Sequence, residues 1–86
     1  MNTRIRYSKQ TDGSLVSMRI IKSENGMEYR SYINPDGVSG KVHEIDTATF
    51  YDVKATSPHK VKIALKNTLI KLGCVFKDEE RGANVE

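Results

Sequence analysis

Two dipeptides limit most strongly what this chain can become. Asp12-Gly13 and Asn25-Gly26 each supply residues that tolerate positive φ, which suits a two-residue type I′ hairpin turn. With a third turn at Pro35-Asp36-Gly37, they predict three antiparallel strands in a meander, Thr3 to Gln10, Leu15 to Ser23 and Met27 to Ile33. Lys41 to Ile45 reads as a fourth strand, and Thr49 to Lys54 as either another short strand or the approach to a helix. The helix is signalled by Ser57 as cap and Pro58 at the first helical position. Val61, Ala64, Leu65, Thr68, Leu69 and Leu72 then recur at helical spacing until Gly73 ends it. The expected fold is α+β: a curved antiparallel sheet of about four strands over residues 3–54, followed by one C-terminal amphipathic helix over 58–72.

A chain of 86 residues holds one small core, which excludes a multidomain machine, a long repeat array and a large enzyme with a deep pocket. Such a core is marginal in buried area for a lone monomer, so a homodimer is expected. Ile63 and Ile70 flank the helix stripe. Together with Leu69 and Leu72 they form the expected dimer interface, against which the alternative is that the isoleucines merely edge an ordinary core. No apolar run approaches the ~18 residues of a spanning helix and the start lacks a signal-peptide core, so a cytoplasmic protein away from membranes is expected. The single cysteine, Cys74, excludes an internal disulfide and reads as a small core or interface residue.

The net charge of +3 is unremarkable, but its distribution is informative. Lys54, Lys60, Lys62, Lys66, Lys71 and Lys77 lie in an interval without any acid, from Asp52 to Asp78. Residues 78–86 reverse this with four acids and one base, leaving 13 basic against 7 acidic side chains in residues 1–77. The reading is a single basic domain over 1–77 with an acidic flexible tail over 78–86. The tail either competes with an anionic ligand for the basic body, engages a basic protein partner, or is simply a solvated end.

Tight two-residue turns would also set the strand register. Around Asp12-Gly13 they place Tyr7 opposite Met18, Arg6 opposite Arg19 and Ile5 opposite Ile20. Around Asn25-Gly26 they place Ile20 opposite Ser31, Arg19 opposite Tyr32 and Ile21 opposite Arg30. Sorted by parity, Ile5, Tyr7, Val16, Met18, Ile20, Met27, Tyr29 and Ile33 face the helix. Arg4, Arg6, Ser8, Ser17, Arg19, Arg30 and Tyr32 face outward, with Glu28 as the acid among them. Like charges opposed across a strand pair are destabilising, so a row of arginines points to an anionic ligand. Guanidinium forks match phosphate oxygens and stack on bases, and Tyr32 adds an aromatic surface, a combination suited to single strands more than to a duplex groove. The candidate nucleic-acid-binding residues are Arg4, Arg6, Ser17, Arg19, Arg30, Tyr32 and Lys41, the bland alternative being arginines that spread into solvent or pair with Glu28 and Asp36.

In the order of its elements the chain resembles the positive cofactor four family of transcriptional coactivators. The Tyr32-Ile33-Asn34-Pro35-Asp36-Gly37 turn is similar to that family's aromatic-rich strand and Asp-Pro-Glu-Gly turn. Val53-Lys54-Ala55-Thr56-Ser57-Pro58 is similar to its short strand and Asn-Pro helix entry, and the likeness covers most of residues 3–73. It implies a homodimer whose two curved sheets hold unpaired DNA during transcription, replication, recombination or repair, and the compact, lysine-rich style of the sequence suggests a bacteriophage or bacterial version.

Catalytic chemistry is not expected. His43-Glu44 and His59 are isolated, Cys74 has no partner in sequence, and Gly37, Gly40 and Lys41 lack the phosphate-loop frame, so no metal or cofactor is assigned. Two other readings stay open: a small protein-interaction adaptor or inhibitor of phage type, and RNA rather than DNA as the strand.

Overall fold

The computed structural model describes residues 5–76. Its elements are β1 (Tyr7–Lys9), β2 (Leu15–Ser17), β3 (Ile21–Lys22), β4 (Glu28–Ile33), β5 (Ser39–Glu44), β6 (Thr49–Lys54) and α1 (Pro58–Lys71). The strands form one six-stranded antiparallel sheet in the order β1-β2-β4-β5-β6, with β3 also pairing β4. The α+β class stands, while six strands replace the expected four. The strand expected over 15–23 is broken in two, and residues 49–54 form a full edge strand.

Both hairpins differ from the expected register by one residue. Tyr7 pairs with Ser17 and Lys9 with Leu15, while Ile21 pairs with Tyr29 and Lys22 with Glu28. The cause is local. A type I′ turn needs positive φ at both central residues, but only the glycines adopt it here, Gly13 at 92° and Gly26 at 91°. Each loop therefore takes three residues, closed by Gly13 N–H to Gln10 O (3.0 Å) and Gly26 N–H to Ser23 O (3.0 Å). Asp12 Oδ1 accepts from Ser14 N (2.9 Å) and Asn25 Oδ1 from Met27 N (3.1 Å), which holds these side chains in the turn instead of turning the backbone left-handed.

A one-residue slip exchanges the faces of a strand. Leu15, Ser17 and Ile21 now lie on the helix side, and Val16 on the other. Met18 and Ile20, expected under the helix, are 59% and 41% exposed. They leave the sheet because Val16 to Ile21 spans five steps against three from Tyr32 to Tyr29, so two extra residues bulge out between β2 and β3. Arg6 therefore faces Met18, whose N–H donates to Arg6 O at 2.7 Å, and the expected Arg6–Arg19 and Arg19–Tyr32 pairs do not form.

The core lies between the sheet and α1. Tyr29, Ile33 and Val42 meet Val61, Leu65 and Leu69, with Cys74 and Phe76 closing one end. Burying each such side chain contributes about 1.5–3 kcal/mol. Ser57 Oγ accepts from Lys60 N (3.3 Å) with Pro58 following, as the sequence implies. Leu69 is fully buried in the chain's own core and so is not available to a partner helix, which corrects the interface expected for it, while Leu72 is partly buried against the same core. Ile63 and Ile70 do point outward, 46% and 42% exposed. Cys74 is a core residue, its thiol pushed up to about 11 by burial. No helix among the described residues is long and apolar enough to cross a membrane.

Asp36 caps the β4–β5 turn, its Oδ1 accepting from Val38 N (3.0 Å) and Ser39 N (3.1 Å). Hydrogen bonds from the Val38 backbone and then the Ser39 side chain hold its carboxyl below the ordinary aspartate value. A depressed folded pKa contributes stability above the unfolded value of about 3.9, lost as pH falls through the folded one. Asp36→Ala is therefore expected to lower the melting temperature near neutrality and to flatten the acid limb below about pH 4, measured by thermal melts across pH. An acid limb as steep as the wild type's would contradict this assignment.

Candidate nucleic-acid interface

The face of the sheet away from α1 is built by alternation on three long strands. Odd residues of β4 (Tyr29, Ser31, Ile33) are buried, which sends Arg30 and Tyr32 outward. Tyr32 pairs with Lys41 and Arg30 with His43; across the next strand Lys41 pairs with Asp52 and His43 with Phe50. The His43 and Phe50 rings stack, with centroids 4.4 Å apart and planes 13° from parallel. Tyr32 continues the line at 6.4 Å from His43, tilted 41°. Lys41 stands among them, its ammonium 5.0 Å from the Tyr32 centroid and 5.9 Å from that of Phe50. Phe50 is half exposed.

This arrangement presents π-faces beside fixed positive charge on a surface open to solvent. The strands carry Lys22, Arg30, Lys41 and Lys54 on this face against Glu28 and Asp52, and Lys22 is engaged by Glu28 at 3.6 Å. Arg30 reaches back toward β2, Nη1 donating to Ser17 O at 3.3 Å.

Of the residues expected to bind, Arg30, Tyr32 and Lys41 come together here. Arg6 and Arg19 are exposed at the β2–β3 bulge, and Arg4 lies outside the described residues, as does the acidic tail over 78–86. Ser17 is a correction. It is fully buried, its Oγ accepting from Ser31 N (3.2 Å), because the register slip turns it to the helix side. His43 and Phe50 were missed. The Pro35-Asp36-Gly37 turn announces the hairpin that pairs His43 with Arg30 without fixing that register, and the loop before β6 turns at Ala48 in the left-handed region (φ 58°), without a glycine to announce it. Among the described residues no three His, Cys, Asp or Glu side chains are grouped to hold a metal ion.

Comparison with known proteins finds no matching family model, no matching curated protein and no matching solved structure.

Proposed function

We propose that this protein binds single-stranded nucleic acid, with unpaired DNA as the first choice, on the face formed by Tyr32, Lys41, His43 and Phe50. The observation that carries the reading is the ring line on the side of the sheet that the helix does not cover. Bases stack on such rings for about 1–3 kcal/mol each whatever their identity, and a neighbouring ammonium neutralises the backbone between them. Duplex DNA hides its π-faces and presents grooves that call for a helix or ribbon, which this sheet face does not offer. The sheet-then-helix order is also what resemblance to the positive cofactor four family implies, and it supports a role in holding melted DNA in transcription, replication or recombination.

A homodimer belongs to this reading, through the outward Ile63 and Ile70 of α1. A mass in solution of one chain at binding concentrations removes it. The same two isoleucines favour the second reading, a small protein-interaction adaptor or inhibitor.

The test is fluorescence anisotropy with a labelled single strand and its duplex of equal length over a salt series. The single strand is expected to bind more tightly, and Lys41→Ala to reduce the slope of log affinity against log salt by about 0.7, the release expected for one phosphate contact. Equal binding of strand and duplex, or none, would overturn the proposal and leave the adaptor reading in its place. Competition with RNA of the same sequence decides between the two strand chemistries.

A further inference from the structure

The bulge between β2 and β3 is otherwise unexplained. It moves Arg19 out of the sheet and leaves Met18 and Ile20 exposed, at a cost in buried apolar surface. What it gains is a cleft of about 200 Å³ at the β1 end of the sheet, lined by Arg6, Arg19 and Lys22 and by apolar side chains that include Ile5, Ile21 and Phe76 from the edge of the core. Lys22 is engaged by Glu28, but among the described residues no carboxylate pairs with Arg6 or Arg19. Two guanidinium groups lining one cleft repel each other, and an anion between them removes that repulsion. Their planar forks fit phosphate oxygens better than a point charge would.

Arg30 of β4 lies between the cleft and the ring line in the order of strands. Arg30 lies opposite His43 in register and is hydrogen-bonded to the carbonyl of Ser17, the last residue before the bulge. A cation therefore stands between the stacked rings and the bulge. From β6 to β1 the sheet makes four inter-strand steps, which at roughly 4.8 Å each is about 19 Å. At a stacked rise of about 3.4 Å per nucleotide, about six nucleotides cover that distance.

We infer that the Arg6–Arg19 cleft is the phosphate anchor of the bound strand, which crosses the sheet at right angles to its β-strands, with bases stacked on Phe50, His43 and Tyr32 and its backbone held at the bulge. This rests on the single-strand reading above and adds to it a direction, a length and a division of labour. The β4–β6 half supplies stacking, which is insensitive to salt, and the one phosphate contact of Lys41. The β1–β3 end supplies the larger share of the counterion release.

The experiment measures affinity against salt for a labelled oligothymidylate longer than that six-nucleotide span. The proteins compared are wild type, Phe50→Ala, the double variant Arg6→Ala plus Arg19→Ala, and the double variant Arg6→Lys plus Arg19→Lys. Phe50→Ala is expected to lose roughly five- to 150-fold in affinity with its salt slope unchanged. The double alanine variant is expected to lose about 1.4 from the slope, two phosphates at about 0.7 each, and the double lysine variant to keep the slope with weaker binding. All substituted side chains are exposed, so thermal melts report that each variant is folded. If Phe50→Ala loses affinity while the double alanine variant keeps the full slope, the anchor is wrong and the single-strand reading survives. If wild type binds no single strand, or Phe50→Ala binds as wild type does, the single-strand reading itself falls and the anchor with it.

Discussion

Leu65→Ala is expected to destabilise the protein by about 2–5 kcal/mol, the cost of removing a buried leucine and leaving part of its volume empty. Leu65 is completely buried at the middle of α1, between Val61 and Leu69, and the helix reaches β4, β5 and β6 through that stripe. A domain of this size has a total stability on the order of 4–13 kcal/mol, so the loss is a large share of what holds the fold together. Urea denaturation reports this as a lower midpoint. Ile63→Ala, two residues away and facing outward, serves as the comparison and should cost far less. If the two substitutions cost the same, either α1 does not seat on the sheet as described or Ile63 is covered by a second chain, and a mass measurement separates these.

Gly40→Ala is the other large effect, and it acts on fold and site together. Gly40 lies inside β5, opposite Ile33 and Val53, on the helix side of the sheet. A Cβ there would run into the carbonyl oxygen of Tyr32 and lie 3.3 Å from the carbonyl carbon. The obstacle is backbone within the β4–β5 ladder and cannot swing aside as a side chain could, so the strands must separate or kink. Overpacking of this kind costs about 1–3 kcal/mol and occasionally more. Tyr32 and Lys41 form the adjacent register pair, so a local shift also moves the ammonium from its ring. The expected result is a lower urea midpoint together with weaker single-strand binding. A wild-type midpoint would show that the close approach of β4 and β5 at this point is not real.

How far the fold was legible in the sequence depended on whether its determinants were local. Ser57-Pro58 and Gly73 bound α1 as read, because capping is chemistry between residues a few positions apart. The β4–β5 hairpin was also readable, since Asp36 closes its turn with hydrogen bonds to Val38 and Ser39. The two Gly-containing hairpins were recognised as hairpins, yet their loop length was not. Asp12-Gly13 suits either a two-residue turn with both residues left-handed or a three-residue loop with only glycine so, and the side-chain bonds of Asp12 to Ser14 select the second. That single step turned Ser17 inward and Val16 outward and separated Arg6 from Arg19.

The site was legible in part for the same reason. Arg30, Tyr32 and Lys41 belong to strands joined by a readable turn, and they emerge side by side. His43 and Phe50, seven positions apart, meet only because β5 and β6 pair around a loop whose left-handed residue is Ala48. The order of strands and helix, the basic body and the helix caps follow from the chain's own local chemistry. Which rings stack, which arginines converge and which leucines are already taken by the core depend on contacts between distant segments. Those contacts form only when packing selects one register among several that local turn chemistry allows, and a shift of one residue is enough to exchange the buried and exposed faces of a strand.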